Sequence, residues 1–279
     1  MFKYPRTTPL MKPSILIAAA LLSLTAGSAF CQSTPDSPIE SGQPNYQEMV
    51  KVEGGYFKAM KKNVKDFRIG KYEVTRGEWQ EVAKWALDHE YDLNPGSFKP
   101  GEETFPMQGI NWYDVIKWCN AKSEMERLVP AYLVKGSIYK SGEFGETGAD
   151  VIKLKSDATG YRLPTNAEWE WAARGGKKSL GYYYAGGNDL DAVAWHGGNS
   201  GERPHPVGQK QPNELGLYDM HGSIWEQTWE SAGLGGNYRG VGIGPFQKEF
   251  PPEKGKFKRG KVNTGRWVGG FRLARNAGL

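Results

Sequence analysis

Hydrophobic positions change their spacing several times along this 279-residue chain, and each change marks a segment. Apolar residues run almost unbroken from Ile15 to Leu24, then thin out between Gln32 and Gln47, where Pro, Ser and Gly dominate. A stretch that polar cannot bury enough apolar area to offset its ordering entropy, so 32–47 is expected to be a flexible leader. From Met49 the pattern becomes short and β-like. Val50, Val52, Tyr56 and Phe57 flank Glu53-Gly54-Gly55, and Phe67 to Val74 alternates around a Gly-Lys turn, which predicts short strands with a hairpin between them.

The period then lengthens to that of a helix. Thr75 stands three residues before Glu78, the spacing of a capping box, and predicts a helix from Arg76 to about Asp88. Its Trp79, Val82, Ala83, Trp85 and Ala86 share an apolar face, with Glu78, Glu81 and Lys84 on other faces. A second amphipathic helix is expected from about Trp112, with Trp112, Val115, Ile116, Cys119 and Met125 toward the core. Residues 135–159 are polar and glycine-rich, and read as a surface hairpin. Pro164 ends a strand. Thr165 and Glu168 repeat the capping-box spacing for a short helix that turns Trp169, Ala172 and Ala173 inward and stops at Gly175-Gly176.

After Gly181 no long period survives. The stretch to Gly222 is dense in Gly, Asn, Pro and aromatics, which predicts coil held by turns and by packed Trp and Tyr side chains. The closing GRWVGGFRLARN reads as a terminal strand, with Trp267, Val268, Phe271 and Leu273 inward and Arg272 and Arg275 alternating outward.

Charge and cysteine content narrow the setting. Lys3, Arg6 and Lys12 precede the apolar run, and small residues follow it before Phe30-Cys31-Gln32, the pattern of a secretory signal over residues 1–31 and too short to span a bilayer. Met1 and Met11 both fit as the start. Cleavage near Cys31 would release the chain to the periplasm or the exterior, whereas acylation of Cys31 would make it a lipoprotein. The signal holds three of the five net positive charges, which leaves about +2 on the remainder and no basic footprint for nucleic acid. Cys119 is then the one remaining thiol, so no disulfide framework can form within the mature chain. Its place on the apolar face of the second helix marks it as a core residue.

Two segments carry a family resemblance: GYRLPTNAEWEWAARGG, Gly160 to Gly176, and GLYDMHGSIWE, Gly216 to Glu226. In these the chain resembles the formylglycine-generating-enzyme, or sulfatase-modifying-factor, family, over about Met49 to Asn276. The resemblance implies an α+β domain over 48–279, related to C-type lectins, with little regular secondary structure, two main amphipathic helices and short strands. It also implies a structural calcium at the DMHGSIWE loop, held by the side chains of Asp219 and Glu226 and the carbonyls of Gly222 and Ile224. Hard oxygens in a tight loop suit that ion. A second family calcium uses an Asn just before the residue matching Trp195, where this chain has Val193 and Ala194.

Oxidases of the family hold copper with two cysteines near the C-terminus, and this chain has none after Cys119. No copper is therefore expected, since Cu(I) prefers thiolate. His196, His205 and His221 share the coil-rich region, but their spacing matches no metal motif. Arg162, Glu168 and Glu170 beside tryptophans suit either a perturbed catalytic pair or a helix cap with an anchoring ion pair.

Two function classes remain. One is an exported, non-catalytic binding or accessory module for a protein, peptide or glycan, with a ligand surface at Trp229, Glu230, Tyr238, Arg239, Phe246 and Arg259. The other is a cysteine-independent oxidase or maturation enzyme drawing on Glu226, Glu230, His221 and Arg239.

Overall fold

The computed structural model of the chain describes residues 45–142, 152–230, 232–239 and 269–278. The signal-like run, nearly all of the polar leader, Trp267, Val268, Phe246 and Arg259 lie outside them. Few residues are regular: short strands and helices hold a fold in which turns do much of the connecting, an α+β architecture as expected.

Local chemistry builds the helices. Thr75 caps α1 (Arg76–Leu87): its side chain accepts the Glu78 N–H while the Glu78 carboxylate accepts the Thr75 N–H. Thr165 and Glu168 form the same reciprocal pair at α3 (Asn166–Ala173), and Gly175 beyond its end takes a left-handed φ of 84°. Asn111 caps α2 (Trp112–Met125) by accepting from the Asp114 N–H.

Helix α2 is buried on nearly every side. Its lysines are neutralised in place, Lys117 by Asp114 at 2.9 Å and Lys122 by Glu126 at 2.7 Å. Cys119 is fully buried, as its periodicity predicts, and burial pushes its thiol well above the usual range. Between α1 and α2, Trp79 and Trp118 stack with their ring planes 2° apart, and Phe271 meets both edge-on. That cluster and a second one, built from Val52, Phe67, Ile69, Trp169, Leu217 and Met220, make the core.

Short strands with a hairpin between them form as expected. β1 (Met49–Val52) pairs antiparallel with β4 (Phe67–Gly70), and the hairpin between them is β2 (Gly55–Phe57) with β3 (Lys62–Val64). Tyr72 to Val74, predicted to continue as strand, instead dives inward and buries Glu73 completely. Of the polar segment after α2, residues 143–151 lie outside the described ones; the described part joins a three-stranded ribbon in which β5 (Tyr132–Val134) lies between β6 (Ser137–Ile138) and β7 (Ile152–Leu154). Between Gly181 and Gly222 the chain is turns, bends and one short helix, α4 (Leu190–Val193), in keeping with its composition.

The terminal strand is two strands. β10 (Gly269–Phe271) pairs parallel with β8 (Trp225–Gln227), which also pairs with β9 (Ala232–Leu234). β11 (Ala274–Asn276) then joins the other sheet, antiparallel to β4. Arg272 and Leu273 are the crossover between the two sheets. A side chain at Gly270 would start 1.9 Å from the Met107 carbonyl oxygen, so only glycine lets these backbones cross.

Glu78 corrects the predicted outward face of α1: it is buried, and desolvation raises its pKa to about 7 against the opposing pull of Lys122 and Thr75. A carboxyl whose folded pKa lies above its unfolded value stabilises the fold at low pH. That contribution is lost as pH rises from about 4.3 to about 7. Glu78→Gln should flatten the decline of unfolding free energy across that window, by an amount of order 3 kcal/mol. Urea titrations of both proteins at several pH values measure it; parallel curves would remove Glu78 from the account.

Candidate functional site around Arg272

The DMHGSIWE loop meets the sheet crossover, and three buried carboxyls converge on one guanidinium. Arg272, expected to point outward, is fully buried because the crossover leaves no strand on which alternation could turn it out. Its Nε donates to Glu226 Oε2 at 2.7 Å and its Nη2 to Glu226 Oε1 at 2.6 Å, a bidentate pair. The remaining N–H groups reach the carbonyls of Gly70 at 3.1 Å and Tyr218 at 3.0 Å. Trp169 Nε1 of α3 donates to the same Glu226 at 2.7 Å. One ion pair thus joins β4, the loop before Asp219, β8 and α3.

Glu73 faces the same cluster. Ser223 Oγ donates to its Oε2 at 2.9 Å and the Ile224 N–H to its Oε1 at 3.4 Å. Burial first, then the charges of Asp219 and Glu226, hold Glu73 well above the usual carboxylate range. Asp219, at a left-handed φ of 58°, accepts the Gly208 N–H at 2.7 Å through Oδ2, while its buried Oδ1 has no partner. Burial raises the Asp219 pKa to about 6, with Glu226 adding to the rise and Gly208 and Arg272 opposing it. For Arg272 burial works against the charge, but Glu226 outweighs it and the net shift is upward.

Gly222 shows why the loop is shaped as it is. Its φ is 75° and a Cβ there would lie 2.1 Å from the Trp195 carbonyl oxygen, where Gly222 and Trp195 bridge in parallel. Ser223 also has a positive φ, of 53°, and donates its N–H to the same carbonyl.

The two side chains of the calcium set implied by the resemblance differ in their surroundings. Both Glu226 oxygens are held by Arg272, so a second cation there would have to displace a guanidinium or lie beside its positive charge. Of the two carboxylates in that set, Asp219 keeps an unpartnered oxygen, Oδ1. Among the described residues no three His, Cys, Asp or Glu side chains are arranged to hold a metal ion.

The histidines are spread over separate contacts. His196 Nε2 pairs with Asp191 at 2.7 Å, His205 stacks on Trp195 at 3.7 Å, and His221 Nδ1 accepts the Ala185 N–H at 3.1 Å. Arg162 and Glu168 are a bidentate anchor at 2.7 Å, with Asn276 of β11 on the same guanidinium, so the cap-and-anchor alternative accounts for them. Glu170 pairs with Arg174 at 2.6 Å.

Four of the residues expected at a ligand surface are described. Trp229 packs on Tyr132 and Trp112, and Tyr238 is buried. Glu230 accepts the Asn166 N–H at 2.7 Å, complementing the α3 N-terminus. Arg239 is exposed, lying over the Tyr238 ring. Glu73 is the member that sequence reasoning missed. Its only signal is an acid between apolar neighbours, Tyr72 and Val74, in a segment that reads equally well as strand.

Breaking one side of the central pair should be severe. Arg272→Met or Glu226→Gln should each lower unfolding free energy by about 3–5 kcal/mol, and the double variant by less than the sum. Chemical denaturation of the three variants checks it; additive losses would mean that the two residues do not act as a pair. Calorimetry of the wild-type chain with calcium and with a chelator tests the implied ion at Asp219 and Glu226, and an unchanged melting temperature would remove it. A calcium-dependent rise in calorimetry would show that the loop rearranges to admit the ion.

Residues 35–277 match the FGE-sulfatase family model, described as a sulfatase-modifying factor enzyme 1-like domain. The chain is 39% identical over 238 residues to the chaperone protein LppX of Paenibacillus barcinonensis, covering 75% of this chain and 79% of that protein. It is 42% identical over 200 residues to the formylglycine-generating enzyme of Mycobacterium tuberculosis, covering 59% of this chain and 64% of that enzyme. Among solved structures, that of CarF superposes with a TM-score of 0.64 at 28% identity, over 82% of this chain and 98% of CarF. With its two motif segments, its interrupted α+β fold and these matches agreeing, the chain belongs to the sulfatase-modifying-factor family.

Proposed function

We propose that this chain is an exported accessory module of the family, one that binds a protein or peptide and does not form formylglycine. The observation that carries the reading is the absence of any cysteine after Cys119, together with the deep burial of Cys119 itself. Copper(I) in these oxidases needs a thiolate pair, and a lone core thiol held protonated by its surroundings is a poor substitute.

The competing reading, a cysteine-independent oxidase or maturation enzyme, draws on Glu226, Glu230, His221 and Arg239. The first three already have partners within the fold, namely Arg272 and Trp169, the α3 N-terminus, and the Ala185 amide, while Arg239 is exposed over the Tyr238 ring. The relative named as a chaperone, similar over most of both chains, supports a role in assisting another protein. Export is supported by the basic and apolar run ending near Cys31. Among the described residues no helix is long and apolar enough to cross a membrane.

A paired assay tests the proposal. The chain, supplied with copper and oxygen, is incubated with a cysteine peptide that the mycobacterial enzyme converts, and mass spectrometry follows the aldehyde. Light scattering then follows aggregation of denatured citrate synthase with and without the chain. Expected are no aldehyde and reduced scattering. Aldehyde formation would sink the non-catalytic reading, and unchanged scattering would sink the assisting role.

A further inference from the structure

Two segments that adjoin in space carry a combination of side chains that the central site leaves unexplained. The β2–β3 hairpin packs against α3 and the turn after it. Phe57 meets Trp171 edge-on at 5.6 Å, Trp171 Nε1 donates to the Glu53 carbonyl at 2.9 Å, and Lys177 Nζ reaches the Glu53 carboxylate at 3.2 Å. Along β2, Gly55 and Phe57 face that junction, so Tyr56 between them projects the other way, 61% exposed. In the neighbouring segment Leu180 and Tyr183 are 68% and 63% exposed. These three are among the five large hydrophobic side chains that stand exposed in the described residues, the others being Leu87 and Val129.

The same two segments are strongly basic. Residues 53–66 hold four lysines against Glu53 and Asp66, and residues 170–183 hold Arg174, Lys177 and Lys178 against Glu170, a net excess of four positive charges. All six lysines are exposed, and Arg174 is spent on Glu170. From Gln32 onward the chain carries only about +2, so these two segments concentrate positive charge as well as apolar surface; the acid adjoining them is the half-buried Glu214, which accepts the Leu180 N–H at 2.9 Å.

We propose that the β2–β3 hairpin and the Lys177–Tyr183 segment form a docking surface for an anionic lipid bilayer. Lysine is depleted at protein–protein interfaces, whereas a lysine-rich surface is drawn to anionic headgroups. Tyrosine suits the headgroup region, where its ring can be apolar and its hydroxyl wet. Leu180 and Tyr183 stand out singly beside lysines, the form expected of side chains that insert shallowly while their neighbours stay at phosphate level. Binding of this kind is peripheral and reversible, and it leaves the Arg272 cluster untouched.

Vesicle flotation tests it, using the full chain beside a chain starting at Pro44. The latter lacks the apolar run of residues 15–24 and keeps the compact unit Pro44–Leu279. Vesicles of phosphatidylcholine with 30% phosphatidylglycerol are compared with pure phosphatidylcholine. Both chains should bind the anionic vesicles more strongly, and the chain from Pro44 should be released by half-molar salt. Lys177→Gln with Lys178→Gln, and separately Leu180→Ser with Tyr183→Ser, should each weaken the partition coefficient at least about tenfold. Unchanged melting temperatures would show that the variants are folded.

No binding to anionic vesicles by the chain from Pro44, equal binding to both vesicle types, or indifference to both pairs of substitutions would overturn the proposal. Retention on polyglutamate without vesicle binding would also overturn it, by assigning the surface to an acidic polypeptide.

Discussion

The bidentate pair between Arg272 and Glu226 is the constraint on which the arrangement depends. Arginine here does more than neutralise a carboxylate: its five donors fix the directions of everything around it. Two go to Glu226, and the others reach backbone carbonyls at Gly70, Lys71 and Tyr218, groups that would otherwise need partners of their own. Because Trp169 donates to the same carboxylate, α3 is tied to the junction of both sheets. A fold so short of regular hydrogen-bonded structure needs ties of this kind, since its strands average only a few residues and cannot hold one another by ladder bonds alone.

The same pair governs what chemistry the region can support. Three carboxyls and one guanidinium share a buried space, so the guanidinium can satisfy one carboxylate fully and the others only in part. Glu226 takes the guanidinium, Glu73 takes donors from Ser223 and Ile224, and Asp219 keeps one oxygen unpaired. Desolvation then pushes the two less favoured carboxyls toward their neutral forms, which relieves the excess negative charge. An acid cluster that would suggest catalysis or cation binding from residue types alone is here largely satisfied by an internal cation.

Features that rest on neighbours along the chain are legible in the residues themselves. Thr75 with Glu78 and Thr165 with Glu168 cap their helices because a capping box involves only residues three apart. Cys119 follows its helical period into the core, and the glycine-rich stretch after Gly181 is coil. Glu78 and Arg272 depart from their expected outward faces for a common reason. Periodicity assigns a face, but whether that face meets solvent depends on what packs against it. α1 meets other elements on more than its apolar stripe, and Arg272 occupies a crossover where no strand period applies.

The amino-acid sequence by itself determined the family, the helix starts, the glycines at which the chain turns and the lack of a thiolate pair, because each is written in residue identity and short-range spacing. Only the tertiary structure decided which charges are buried together. It placed Glu73, Asp219, Glu226 and Arg272, separated by as many as 199 positions between the first and the last, in one desolvated space. It also set Lys177 beside Glu53 and Gly55 at the start of the β2–β3 hairpin. Coulomb interaction and desolvation act through distance and dielectric, and neither is fixed until the chain has closed on itself.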